Sequence, residues 1–222
     1  MLQKEAVVQK ITDLIAELQN NSLFKDYVLV GGTALALQLG HRTSTDIDLF
    51  TQNKQNVIGL TEYFKNKYED TSVSVAKDDF IQLYTNGIKV EMVWYEENIL
   101  KKAKEIDNIR MVGINEIAAM KLSAVTQRTE PRDFIDIAYL LKEIPLKQMF
   151  DIYKENFGSI SPLYMKRTLI TKSKSIKENE WLVGGIKMLR NDIKPKDVPM
   201  FIEKAVEEYN KNINVGKTSE FA

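Results

Sequence analysis

Leu2, Val7, Ile11, Leu14, Ile15 and Leu18 recur largely at three- and four-residue steps. That spacing predicts an amphipathic helix over the first twenty residues, ended by Asn20-Asn21. The pattern then changes. Tyr27-Val28-Leu29-Val30 is uninterrupted and apolar, as a strand buried on both faces would be, and it runs straight into Gly31-Gly32 and a helix-forming segment over 33–39. The segment 46–50 alternates acidic and apolar residues and predicts a second strand, while Val57, Leu60 and Phe64 predict a helix over 56–67. Three more strands are expected at 73–76, 80–84 and 88–95, the last two joined by Thr85-Asn86-Gly87, whose Asn-Gly pair is a strong hairpin signal.

Beyond about residue 110 strand-like runs become scarce. Helices are expected at 115–125, 132–141, 146–157, 162–171 and 198–210. The expected fold class is therefore α+β: a mixed sheet with flanking helices in residues 1–110, followed by a mainly helical half, 111–222, that completes the cleft. No internal repeat or low-complexity linker separates the halves.

Composition narrows the chemistry. At 44% hydrophobic and 28% charged residues with five prolines, the 222-residue chain reads as a soluble globular protein. With no cysteine, disulfides, thiolate nucleophiles and cysteine metal sites are excluded, which fits a cytoplasmic location, and the single histidine, His41, disfavours zinc. No membrane segment is expected, because glycines, Thr33 and Gln38 break the apolar stretch at 27–40. The acidic residues of the N-terminal segment argue against a signal peptide. Basic and acidic residues balance at 31 each, but Lys166, Arg167, Lys172, Lys174 and Lys177 lie together in a stretch without acids. Such a cluster fits either a nucleic-acid backbone or a solvated helix face.

The Asp46-Ile47-Asp48 triplet carries the most chemical information. On a strand, residues two apart share a face, so the two carboxylates lie side by side and repel unless a cation holds them. Mg2+, which favours carboxylates together with substrate phosphates, is the usual candidate. Upstream, Gly31-Gly32 closes a strand and opens a helix, an arrangement whose backbone amides can hold a phosphate, or which is simply a turn needing positive φ. Glu91 stands among apolar residues in a strand expected to be central, where a lone carboxylate is costly. Three carboxylates beside such a turn are the parts of a two-metal phosphoryl-transfer site.

These elements, VLVGG, TDIDLF and VEM, resemble the nucleotidyltransferase superfamily of the DNA polymerase β type. Downstream, Lys121 to Arg128 (KLSAVTQR) and Pro131 to Asp136 (PRDFID) are similar to the K-x-x-A-x-x-x-R and R-D-x-x-D signature of AbiEii/AbiGii-type toxins of bacterial toxin-antitoxin systems. The resemblance spans about residues 27–141. It implies that Gly31, Gly32 and Thr33 contact the triphosphate, that Asp46 and Asp48 hold Mg2+ with Glu91 as third acid, that Lys121 meets the phosphates, and that Asp136 belongs to the last acidic motif with Asp133. Arg128 and Arg132 would bind phosphate or pair with those acids. The turn departs from the superfamily's frequent Gly-Ser, so any hydroxyl contact falls to Thr33.

Read from the residues alone, Lys121 and Arg128 share a helix face and could grip an anion, whereas an internal ion-pair network explains Arg132, Asp133 and Asp136 equally. Arg42 is a substrate candidate, His41 a polar loop residue, and Trp94 and Tyr95 fit the core better than a base-stacking role. The resemblance implies Mg2+-dependent transfer of an NMP from an NTP to a hydroxyl acceptor, with RNA or tRNA foremost, by a toxin with a cognate antitoxin. The alternatives are a small-molecule, aminoglycoside-type nucleotidyltransferase, a haloacid-dehalogenase-type phosphatase, and a nucleotide-binding module without turnover.

Overall fold

The computed structural model describes residues 1–181 and 185–218. The N-terminal apolar spacing forms a helix, α1 (Gln9–Asn20), that buries Ile11, Leu14, Ile15 and Leu18. It starts later than the spacing suggests. Leu2 and Val7 are also buried, but Lys4–Ala6 forms a 3-10 turn and Val7 bridges to Ser44. β1 (Val28–Leu29) leads directly into α2 (Gly31–Leu39), which ends at Gly40 in the left-handed conformation that glycine adopts at low cost. β2 (Ile47–Thr51), α3 (Val57–Lys67), β3 (Ser72–Ala76), β4 (Phe80–Thr85) and β5 (Ile88–Trp94) follow, with Asn86 and Gly87 both at positive φ in the hairpin between β4 and β5.

The sequence reading missed the hairpin of β6 (Lys104–Ile106) and β7 (Ile109–Met111). Its turn residues, Asp107 and Asn108, both take positive φ, and Asx residues tolerate that conformation. This dipeptide was the available signal. The strands order as β3-β4-β5-β2-β1-β7-β6, with β2–β5 and β1–β7 parallel and the other pairs antiparallel, giving a mixed sheet.

Register decides what each face of that sheet carries. Ile47, Val90 and Leu83 pair across three strands, as do Leu49, Met92 and Ile81, and all six side chains are fully buried. Each contributes about 1.5–3 kcal/mol by leaving water. The row between them, Asp48, Glu91 and Gln82, points to the other face. A one-residue slip of β2 would bury the acids and expose the apolar rows, so the hydrophobic residues fix the position of the carboxylates.

The chain divides into two compact units, Met1–Ile117 and Ala118–Ala222, the division falling inside α4 (Ile114–Gln127). The second unit is helical, with α5 (Pro131–Glu143), α6 (Leu146–Phe157), α7 (Pro162–Ser175) and α8 (Val198–Thr218), where α8 packs on α5, α6 and α7. Pro131 and Pro162 occupy the first turns of their helices, where the missing N–H costs nothing. Residues 133–140 of α5 are buried on every side. Two aspartates are thereby carried into an apolar interior. Among the described residues no helix is long and apolar enough to cross a membrane.

Candidate active site

Parallel pairing of β2 with β5 sets Asp48 directly opposite Glu91. Asp46 lies one residue before β2, and burial alternates from it through Thr51, so it shares the face of Asp48. The three expected metal-site acids are therefore brought together in the N-terminal unit. Lys89 joins them, a residue the sequence reading passed over. It stands two positions before Glu91 on the same strand face, and its ammonium lies 3.3 Å from Asp46 Oδ2 and 3.1 Å from Glu91 Oε1. The alternation Ile88-Lys89-Val90-Glu91 already contained that signal.

Desolvation, followed by the charge of Glu91, pushes the Asp48 carboxyl up to about 7, and a hydrogen bond shared with Glu91 adds to the shift. Among the described residues no three His, Asp or Glu side chains are already gathered as a metal cage. Instead, the Lys89 ammonium occupies the place between Asp46 and Glu91. The donors nonetheless fit Mg2+, since they are hard carboxylate oxygens and they hold a cation in their midst.

The glycine turn is built around the same acids. Gly31 has φ +72°, and a Cβ there would fall 2.2 Å from Asp48 Oδ2, so glycine is required both by conformation and by the closeness of that carboxylate. A Cβ on Gly32 would lie 2.7 Å from a terminal nitrogen of Arg42, a buried residue whose guanidinium donates to the Thr43 carbonyl at 2.9 Å. The N-terminus of α2 has no side-chain cap. Its first-turn amides and the adjacent guanidinium make this end of the helix electropositive.

Thr33 behaves differently from the expectation of a phosphate contact. Its side chain is wholly buried; its hydroxyl donates to the Asp46 carbonyl and lies 2.9 Å from the Ser44 hydroxyl. It fastens α2 to the backbone that presents Asp46. His41 lies in the loop between α2 and β2, as expected, but is fully buried there. Trp94 and Tyr95 are half-buried: the Trp94 indole N–H donates to the Gln52 carbonyl at 3.2 Å, and the Tyr95 ring packs 5.0 Å from that of Phe50.

The remaining candidates form a second cluster within the C-terminal unit. Lys121 Nζ lies 2.7 Å from Asp133 Oδ1 and 2.6 Å from Asp136 Oδ2, and Arg128 Nε lies 2.7 Å from Asp133 Oδ2. Both aspartates are fully buried and Lys121 nearly so, whereas 55% of the Arg128 side chain is exposed. Burial opposes ionisation of Asp133, yet Lys121 and Arg128 outweigh it and hold its carboxyl below the usual range. This is the internal network that the residue pattern allowed. Most of the basic run is likewise engaged inside its own unit. Lys166 donates to Asn210, Lys172 donates to the Val125, Thr126 and Arg128 carbonyls at the end of α4, and Lys174 pairs with Glu203, while Arg167 and Lys177 are exposed.

The chain is 27% identical over 195 residues to an uncharacterized protein of Aquifex aeolicus, covering 84% of this chain and 89% of that one. Its fold matches the crystal structure of JHP933 from Helicobacter pylori at a TM-score of 0.62, with 18% identity and coverage of 95% and 94% of the two chains. It also matches MenT4, a nucleotidyltransferase toxin of Mycobacterium tuberculosis H37Rv, at a TM-score of 0.58, with 14% identity and coverage of 88% and 80%. The family model for the nucleotidyl transferase AbiEii toxin of type IV toxin-antitoxin systems matches residues 13–181, three quarters of the sequence that presents these two clusters, and the chain belongs to that family.

Proposed function

We propose that this nucleotidyltransferase moves an NMP from an NTP to a hydroxyl of its acceptor in a Mg2+-dependent reaction, with an RNA 3′ end as the leading acceptor and a cognate antitoxin as its partner. The observation that carries this reading is the placement of Asp46, Asp48 and Glu91 by the β2–β5 register beside the uncapped, glycine-opened end of α2. The amides of Gly31 and Gly32 and the Arg42 guanidinium receive the triphosphate, as helix N-termini receive phosphates elsewhere. Asp46 and Asp48, with Glu91 opposite, are the residues that would hold Mg2+. When bound, the ion neutralises phosphate charge and makes the acceptor hydroxyl more acidic. The acceptor oxygen bonds to the α-phosphorus, the bond from that phosphorus to the leaving pyrophosphate breaks, and the hydroxyl proton passes to a carboxylate oxygen of Glu91.

Thr33 keeps Asp46 in register in this reading, and Lys121, Asp133 and Asp136 hold α4 and α5 together. Arg128, bound to Asp133 yet more than half exposed, is the member of that cluster able to meet an anion in solvent. One observation favours a small or protein acceptor as the second reading: the basic run is largely occupied by contacts within its unit, leaving fewer charges to follow an RNA backbone.

The test is label transfer from each α-labelled NTP to cellular RNA, cellular protein and aminoglycosides, with and without Mg2+. Label on RNA that is lost in chelator supports the leading reading. Label on protein or aminoglycoside alone supports the second. Binding of NTP without transfer to any acceptor contradicts both and leaves a nucleotide-binding module.

A further inference from the structure

Lys89 is explained neither by the family motifs nor by the acids' role in transfer. It sits within a strand whose neighbours on both sides are hydrogen-bonded, so its backbone is fixed and its side chain is confined to the acidic face. Lysine is a compact charge on a flexible stem, suited to be exchanged for another cation. Its side chain and those of Asp46 and Glu91 are each about a quarter exposed, so the pairs are neither sealed off nor fully solvated. Two of the three carboxylates assigned to the metal thus share one internal cation.

From this geometry we infer that Lys89 is a resident counter-ion that competes with the divalent ion for Asp46 and Glu91 and keeps the nucleotide-free site poor in metal. The inference rests on the proposed Mg2+-dependent reading. A divalent ion entering between Asp46 and Glu91 must break both contacts of Lys89 and approach a like charge at close range, where Coulomb repulsion is strong. The displaced ammonium becomes available to a phosphate, so metal arriving together with a triphosphate meets a smaller obstacle than metal arriving alone. Loading in the presence of nucleotide is the consequence.

The experiment is a Mn2+ titration of the nucleotide-free full-length chain at pH 8, followed by the paramagnetic resonance of free Mn2+. Wild type, Lys89→Met and Lys89→Arg are compared, with thermal unfolding of each recorded with and without Mn2+. Lys89→Met is expected to bind Mn2+ at least tenfold more tightly than wild type, and to unfold at a lower temperature without metal and recover with it. Lys89→Arg, which keeps the charge, is expected to stay within threefold of wild type in affinity. Equal affinity for wild type and Lys89→Met would overturn the competition while leaving metal-dependent transfer in place. If no variant binds Mn2+ although all unfold cooperatively, the competition is overturned, while metal-dependent transfer stands or falls separately on label transfer with and without Mg2+.

Discussion

Each unit of this protein places a lysine among carboxylates, and the two arrangements have opposite electrostatic consequences. In the N-terminal unit, Lys89 faces Asp46 and Glu91 at 3.1–3.3 Å with Asp48 alongside, each side chain of the two pairs about a quarter exposed. In the C-terminal unit, Lys121 and Arg128 meet Asp133 and Asp136 at 2.6–2.7 Å, with both aspartates fully buried. In the first cluster burial, and after it the charge of Glu91, pushes Asp48 up to about 7; in the second, Lys121 and Arg128 overcome burial and hold Asp133 below its usual range. Residue type alone does not separate the two clusters. Burial and the direction of the carboxyl shifts do.

Removing the lysine of the C-terminal cluster should have the largest effect. Lys121→Met leaves two buried aspartates without their shared cation, and a broken buried ion pair costs about 3–5 kcal/mol. Denaturant titration should show that loss, whereas an unchanged midpoint would mean that the network is not structural. Removing an acid from the N-terminal cluster should act on chemistry instead. Asp46→Asn or Asp48→Asn is expected to cut label transfer by more than about tenfold, a barrier increase of about 1.4 kcal/mol, while stability stays level or rises because a repelling charge has gone. A variant of either residue that transfers at the wild-type rate would remove it from the site.

The clusters also differ in the direction of their pH dependence. Asp48 has a folded value near 7, above its ordinary 3.8. Between those values the folded chain binds more protons than the unfolded one, so metal-free stability should fall as pH rises from about 4 to about 7. Asp133 is shifted downward, so its contribution is present above 3.8 and is lost only as pH falls below that value. Denaturation of wild type and Asp48→Asn across pH 4–8 checks this, the variant losing the decline. An identical slope in both proteins would place the titration elsewhere.

Much of the fold could be read from the chain because its signals are local. The period of α1, the Gly31-Gly32 break after β1, the Asn86-Gly87 hairpin and the prolines opening α5 and α7 depend on neighbours in sequence. Alternation along 46–50 placed Asp46 and Asp48 on one face, but only strand pairing reveals that Glu91 meets Asp48 and not another row. Lys89 was overlooked because its importance arises from that same pairing. The inward hydroxyl of Thr33 and the buried His41 escaped for a related reason, since a single polar residue carries no periodicity that reports its tertiary surroundings. In the basic run, Lys172 reaches carbonyls at the end of a helix distant in sequence, a contact that no local charge pattern announces.

Anomalous diffraction from crystals grown with Mn2+ and a non-hydrolysable NTP tests directly whether the N-terminal cluster, and not the C-terminal one, takes the divalent ion. A peak is expected at a coordination distance of about 2.1 Å from Asp46 and Asp48 carboxylate oxygens, with none at Asp133 or Asp136. A peak at Asp133 and Asp136, or none at either cluster with nucleotide bound, would contradict it.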